Sequence, residues 1–241
     1  AVAAGRISGP RIYTAGPFVN EPFVTTPDEV DSAVVAQKRA GYDFIKLHGN
    51  LSREAYHRLN AVGRREGIRI IGHAPRNLGL APMFEERQYA LAHAEEFIYD
   101  TNNTSRNAQR IVPQLPALAQ SMVKTGMWLM PNLTGFKSIA LMARDLNAVL
   151  ARPEVRYLPP QVQQLWGPAT NPYTARFGPE KYPEIMELFR LIQRLVKEFK
   201  SAGVRMLIGT DAMNTGVVPG FSVHDELAEL VTAGLTPFEA L

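Results

Sequence analysis

Apolar positions along the chain follow two alternating rhythms. From Glu184 to Lys200, the residues Ile185, Leu188, Phe189, Ile192, Leu195, Val196 and Phe199 keep helical spacing for four turns, which predicts an amphipathic helix. Elsewhere short β-branched and aromatic runs predict strands near Arg11 to Ala15, Asp43 to Leu47, Ile68 to His73, Ala90 to Ile98, Met127 to Leu133 and Arg205 to Thr210. The two rhythms meet at a junction that recurs four times: a charged helix end, a glycine, then an apolar strand. Its copies are KRAG-YDFIKL from Lys38, RREG-IRIIGH from Arg64, VKTG-MWLMPN from Val123 and KSAG-VRMLIG from Lys200. The glycine suits the left-handed residue that closes a helix, and the basic residues before it suit the negative end of the helix dipole. A helix-then-strand unit repeated this often predicts a parallel sheet with crossover helices, either an α/β barrel or a doubly wound sheet.

Capping residues place the remaining helices. Thr26-Pro27-Asp28-Glu29 combines a capping box with proline at the first helical position, and that helix runs to about Ala40. Ser52 caps the next, which carries Ala55, Leu59 and Val62 inward, and Gln114 to Lys124 forms a third. Between Leu133 and Tyr182 lies a stretch holding Pro153, Pro159, Pro160, Pro168, Pro172 and Pro179, long enough to predict a rim or lid over a site. Thr236-Pro237-Phe238-Glu239 opens a further helix just before Leu241. Six strands and a helix begun at the last residues lead us to expect a segment of a longer polypeptide.

Composition narrows the class. With 241 residues and 46% hydrophobic content the chain can bury one large core, as a single domain. The net charge is only +3 and the pI of 9.2 comes from scattered arginines, so no basic run reads as a nucleic-acid footprint. The absence of cysteine excludes disulfides and thiolate metal sites and leaves the compartment open. No apolar run approaches the roughly 20 residues of a membrane-spanning helix. The leading Ala-Val-Ala-Ala is too short for a signal peptide.

Candidate chemistry begins at Lys46, which interrupts the apolar run Phe44-Ile45-Lys46-Leu47. A period of two puts Phe44, Lys46 and His48 on one face. An ammonium in a buried layer is costly to desolvate, so such a lysine is neutral, paired or covalently modified, or else its stem packs while the amine reaches water. His73 follows Ile70-Ile71-Gly72, His93 stands in Leu91-Ala92-His93-Ala94-Glu95, and Asp211 follows Ile208-Gly209-Thr210. In a barrel of parallel strands such C-terminal ends converge where chemistry is done. Two imidazoles, a carboxylate and a lysine then suit a divalent ion that takes nitrogen and oxygen ligands.

Together these residues resemble the amidohydrolase superfamily, in its imidazolonepropionase-like and prolidase-like branch. The resemblance is carried by Gly9-Pro10-Arg11-Ile12, Asp43-Phe44-Ile45-Lys46, Gly72-His73-Ala74, Ala92-His93-Ala94-Glu95, Gly209-Thr210-Asp211-Ala212, Pro219-Gly220, His224-Asp225-Glu226-Leu227 and Ala233-Gly234-Leu235-Thr236-Pro237. It implies a (β/α)8 TIM-type barrel spanning 1–241, truncated at both ends, with about six of eight strands present. It also implies a binuclear divalent site, two zinc ions bridged by a Lys46 carboxylated by carbon dioxide. His73 and His93 would ligate one metal and Asp211 the other, with Asp211 also taking the proton from a metal-activated water. His48, Glu95 and His224 would contact substrate or orient ligands.

One departure stands out: the family carries a His-x-His pair on its first strand, and the five histidines here, His48, His57, His73, His93 and His224, contain no such pair. The family pattern places that pair and two strands upstream of Ala1, so the 241 residues alone are expected to be inactive and prone to self-association. The activity implied is metal-dependent hydrolysis of an amide-type C–N bond in a dipeptide or N-acyl amino acid. Hydrolysis of a cyclic amide, a deamination, and a non-catalytic barrel-derived binding module are the alternatives. A small-molecule or dipeptide-like substrate and a possible homo-oligomer are the partners expected, with neither nucleic acid nor membrane.

Overall fold

Helix starts in the computed structural model, which describes residues 2, 4–99, 108–174 and 176–241, follow the capping chemistry closely. Residues 1 and 3 of the leading Ala-Val-Ala-Ala lie outside the described residues. Helix α1 (Pro27–Arg39) opens with the Thr26/Glu29 box fully formed, and α2 (Arg53–Glu66) opens on Ser52, whose Oγ accepts from the Ala55 amide at 3.1 Å. Gly67 closes α2 at φ 62°, the left-handed geometry that the junction motif calls for. Described residues up to Leu91 form one compact unit, and Ala92–Tyr99 with the described residues from Ala108 onward form a second.

In the first unit β1 (Phe44–Leu47) and β2 (Arg69–Gly72) pair in parallel, with Lys46 opposite Ile71, and Ala90 and Leu91 of β3 (Ala90–Ala92) pair in parallel with Ile71 and Gly72 of β2. The short helix α3 (Ala81–Glu86) precedes β3. Ile45 and Leu47 are buried with Val30, Val34, Leu59 and Ile70 in the core, while Phe44 and Lys46 are half-buried, as the period of two requires.

The strand expected near Arg11 to Ala15 does not form. Only Ala15 makes a parallel bridge, to Phe44, while Ile12 and Tyr13 remain 68% and 54% exposed. Gly16-Pro17 interrupts the run, and the backbone from Thr14 to Glu21 follows β1 through irregular bonds, including Val19 N–H to Lys46 O at 3.0 Å. Asp43 completes this edge: its carboxylate accepts from the Thr14 amide at 2.8 Å.

The second unit contains α4 (Ala108–Ile111), α5 (Leu115–Thr125), β4 (Trp128–Met130), α6 (Leu133–Leu150), α7 (Pro160–Trp166), α8 (Tyr182–Ser201), β5 (Arg205–Met206), α9 (Phe221–Thr232) and α10 (Pro237–Ala240). Helix α8 buries all seven apolar residues that the spacing assigns to its inner stripe. Strands β4 and β5 pair in parallel, and Leu207 N–H to Leu129 O at 2.9 Å carries the ladder one residue beyond β5.

Several strands are shorter than the apolar runs suggest. The run from Ala90 to Ile98 stops at Ala92 and continues as a 3-10 turn over Ala94–Ile98, because the second half of that run is buried by helical rather than sheet packing. The stretch from Leu133 begins as α6, whose regular geometry breaks at Asp145. The Asp145 carboxylate then accepts from Ala148 N–H at 3.0 Å and caps the remaining turn. The proline-rich part follows. It packs Val155, Leu158 and Trp166 against Val218, and Trp166 Nε1–H donates to the Met213 carbonyl at 3.2 Å. The described chain is thus an α/β fold with parallel strands, and no described helix is long and apolar enough to cross a membrane.

Candidate functional site

Lys46, His48 and His73 gather at the C-terminal ends of β1 and β2. The Lys46 ammonium lies 5.3 Å from the Phe18 ring centre, and the same ring stacks on His48 at 4.6 Å. His48 in turn meets His73 edge-on at 4.7 Å. Of the three residues that the alternation placed on one face, Phe44 and Lys46 are half-buried on β1 and His48 is exposed just beyond it. The two strands approach closely because Gly72, at φ 109°, has no side chain: a Cβ there would overlap the Leu47 carbonyl oxygen and crowd the Lys46 stem.

His73 is held from both sides. Its amide donates to Leu47 O at 2.9 Å, its Nδ1 lies 2.8 Å from an Arg76 nitrogen, and the buried Gln88 amide reaches the His73 carbonyl at 3.1 Å. Gln88 is itself fixed by the Tyr56 hydroxyl at 2.9 Å.

The second unit holds the other half of the predicted residues, and here the backbone is unusual. His93 directly follows β3, Asn132 follows β4, and Asp211 lies in the loop leaving β5; all three take left-handed backbone, at φ 73°, 53° and 56°. Such conformations cost non-glycine residues on the order of 1–3 kcal/mol each and concentrate at functional sites. His93 N–H donates to Met130 O at 2.9 Å, which brings the histidine alongside the end of β4. Asn132 Nδ2 lies 3.3 Å from His93 Nδ1, and its Oδ1 abuts the Gly209 backbone so closely that a Cβ on Gly209 would overlap it. The Asp211 carboxylate accepts from Asn214 Nδ2, and its Cβ sits over Gly135 at the start of α6.

Electrostatics make His93 a basic group in an acidic surround. Burial disfavours its charged form, but the carboxylates of Glu95, Asp211 and Glu96 outweigh that cost and hold its pKa above the ordinary histidine value. Glu95 Oε1 lies 3.4 Å from His93 Nδ1, whereas Glu95 Oε2 is buried with no hydrogen-bond partner among the described residues.

Glu226 on α9 is completely buried, and its two oxygens accept the Leu133 and Thr134 amides at 2.9 and 2.7 Å. Burial raises its pKa to about 7, against the lowering effect of those bonds. The folded chain therefore keeps this proton up to pH about 7, while the unfolded chain releases it near 4.5. Between those values the folded state binds more protons, so the contribution of Glu226 to stability is fully present below pH 4.5 and falls as pH rises to 7. Urea unfolding of wild type relative to Glu226→Gln should show that loss, about 3 kcal/mol, on going from pH 4.5 to 8. A stability difference that does not change with pH would contradict it.

The structure thus brings Lys46, His48 and His73 together in the first unit, and His93, Glu95 and Asp211 together in the second. Glu95 lies in the 3-10 helix that begins at Ala94, and its side chain meets His93 through that turn. His224 stands exposed on α9, whose inward residues are Ser222, Glu226, Glu229 and Leu230.

Asn132 and Glu226 are the residues that sequence reasoning missed. For Glu226 a signal existed, since it occupies the inner stripe of a helix. Asn132 carries no local signal, since it falls at the end of the apolar run from Met127 to Leu133.

The donors in the second unit suit a divalent cation in kind: an imidazole, a carboxylate beside it, and the buried Glu95 oxygen lacking a donor. Among the described residues, however, no three His, Asp or Glu side chains converge into a metal-holding group.

No family profile and no curated protein matches the chain by sequence. Solved structures do. A bottromycin amidohydrolase superposes with a TM-score of 0.76 at 22% identity over 100% of this chain and 55% of its own. The chain shares the fold of amidohydrolases. A Xaa-Pro dipeptidase follows at TM-score 0.62 and 16% identity, over 99% of this chain and 56% of its own, and a molinate hydrolase at 0.58 and 16%, over 99% and 56%. These neighbours are members of the amidohydrolase superfamily, as the strand-end residues implied. This amidohydrolase-like chain spans little more than half the length of the structures it matches.

Proposed function

We propose that the chain is the catalytic part of a metal-dependent hydrolase that cleaves an amide-type C–N bond in a dipeptide or N-acyl amino acid, within a (β/α)8 barrel. The observation that carries this reading is that His93 and Asp211 both take left-handed backbone beyond strand ends, with the Asp211 carboxylate among the charges that raise the His93 pKa and Glu95 against the imidazole. Likeness to an amidohydrolase and to a Xaa-Pro dipeptidase supports the bond type.

His93 and Asp211 would each serve as ligand to a divalent ion, zinc by preference, and His73 and a carboxylated Lys46 keep the ligand roles that the resemblance implies for a two-metal centre. When bound, the ion supplies a water that is nucleophilic near neutral pH. Asp211 accepts the proton as the water oxygen bonds to the carbonyl carbon, then delivers it to the nitrogen as the C–N bond breaks. Glu95 fixes the His93 ring at Nδ1 and so sets which nitrogen is offered to the ion. Metal analysis of the purified full-length protein combined with a screen of dipeptides and N-acyl amino acids tests the reading. Bound divalent ion with chelator-sensitive release of an amino acid supports it, and a protein that takes up no ion on reconstitution removes it.

A further inference from the structure

Asn132 stands at the N-cap of α6, a position where asparagine ordinarily caps the helix by accepting from the amides of the first turn. It makes no such bond here. The left-handed backbone at φ 53° turns the side chain to the opposite side, where Nδ2 meets His93 Nδ1 at 3.3 Å. The orphaned amides of Leu133 and Thr134 are satisfied instead by Glu226, 93 and 92 residues away in sequence, through both carboxylate oxygens. Glu226 is 0% exposed, and among the described residues no lysine or arginine pairs with it. An uncompensated buried carboxylate is costly, and a local cap would serve the helix alone at less cost. What the remote carboxylate adds is that Asn132 no longer has to cap.

We propose that Glu226 is a positioning residue: by capping α6 from α9 it releases the Asn132 amide to fix the ring of His93. The proposal rests on the reading of His93 as a functional residue, but its geometry can be tested without metal or substrate. Gly209 is part of the device, since only a residue without Cβ leaves room for Asn132 Oδ1 beside the β5 loop. Glu95 Oε1 lies 3.4 Å from the same His93 ring nitrogen, which accepts from the Asn132 amide when it carries no proton and donates to Glu95 when it does, so the two groups hold alternative protonation forms of the imidazole in place.

The test is nuclear magnetic resonance of the metal-free chain above pH 7, where Glu226 is ionised and offers two acceptors, reading the ring nitrogens of His93 and the exchange rates of the Leu133 and Thr134 amides. In wild type both amides should exchange slowly for first-turn positions. Glu226→Gln offers one acceptor where two are needed, so exchange should accelerate at one or both amides, and Asn132 should swing back to cap the helix, shifting the His93 nitrogens. Asn132→Gly keeps the left-handed backbone without strain; it should shift the same His93 nitrogens while Leu133 and Thr134 stay protected. Unchanged His93 resonances in either variant overturn the proposal. Should Glu226→Gln fail to fold, fast exchange in wild type or an unaltered His93 in Asn132→Gly overturns it equally. Loss of the hydrolase reading alone would leave these spectra as expected, so the two failures are distinguishable.

Discussion

Asp211→Asn is expected to lower kcat by about 10²- to 10⁴-fold while the protein folds normally. The substitution keeps the size and planarity of the side chain, and asparagine is among the residues that best tolerate the left-handed backbone at φ 56°. What it removes is the ability to take a proton from water and return it to the leaving nitrogen. The bond from Asn214 Nδ2 can still be accepted by the Asn carbonyl, so the loop from Asp211 to Val217 should hold its shape. The measurement is steady-state kinetics with far-UV circular dichroism and metal content on the same sample. A variant with near-normal kcat and a full complement of metal would remove Asp211 from the role of base.

Lys46→Ala is the second large effect. Loss of both metal and activity is expected, since the proposed carbamate is itself a ligand. The decrease in affinity should reach at least the 10- to 100-fold that losing even a supporting residue costs. The structural cost should be small, because Lys46 is half-buried and its contacts are the Phe18 ring and a stem packed over Gly72, whereas Ile45 and Leu47 carry the core. A short carboxylic acid added to the variant should restore part of the metal binding by taking the place of the carbamate. Full metal retention without it would return Lys46 to a lysine whose stem packs and whose amine reaches solvent.

Local chemistry made much of the fold legible. The Thr26 and Thr236 boxes, Ser52 and the glycines that close α2 and α5 are decided by neighbours within a turn, and each appears where the sequence places it. The α8 stripe is equally local. Strand ends were less legible, because an apolar run does not say how many of its residues find a partner; β3 yields to a 3-10 turn and β5 keeps only Arg205–Met206.

The site divides the same way. Lys46, His73, His93 and Asp211 could be picked out because each follows or interrupts an apolar run. Glu226 gave half a signal: its place on the inner stripe of α9 indicates burial, but nothing within a turn names Leu133 and Thr134 as its partners. Asn132 gave none, because its side chain abandons the local cap for contacts set by His93 and Gly209, both remote in sequence.

The most direct test of the central claim is the rate of hydrolysis of Xaa-Pro dipeptides and N-acyl amino acids by the purified full-length protein before chelation, after chelation, and after zinc is restored. The expected result is release of the free amino acid that disappears with the metal and returns with it, and that Asp211→Asn does not show. Hydrolysis that persists unchanged after the metal is stripped, or zinc-loaded protein that cleaves no amide in the panel, would contradict it.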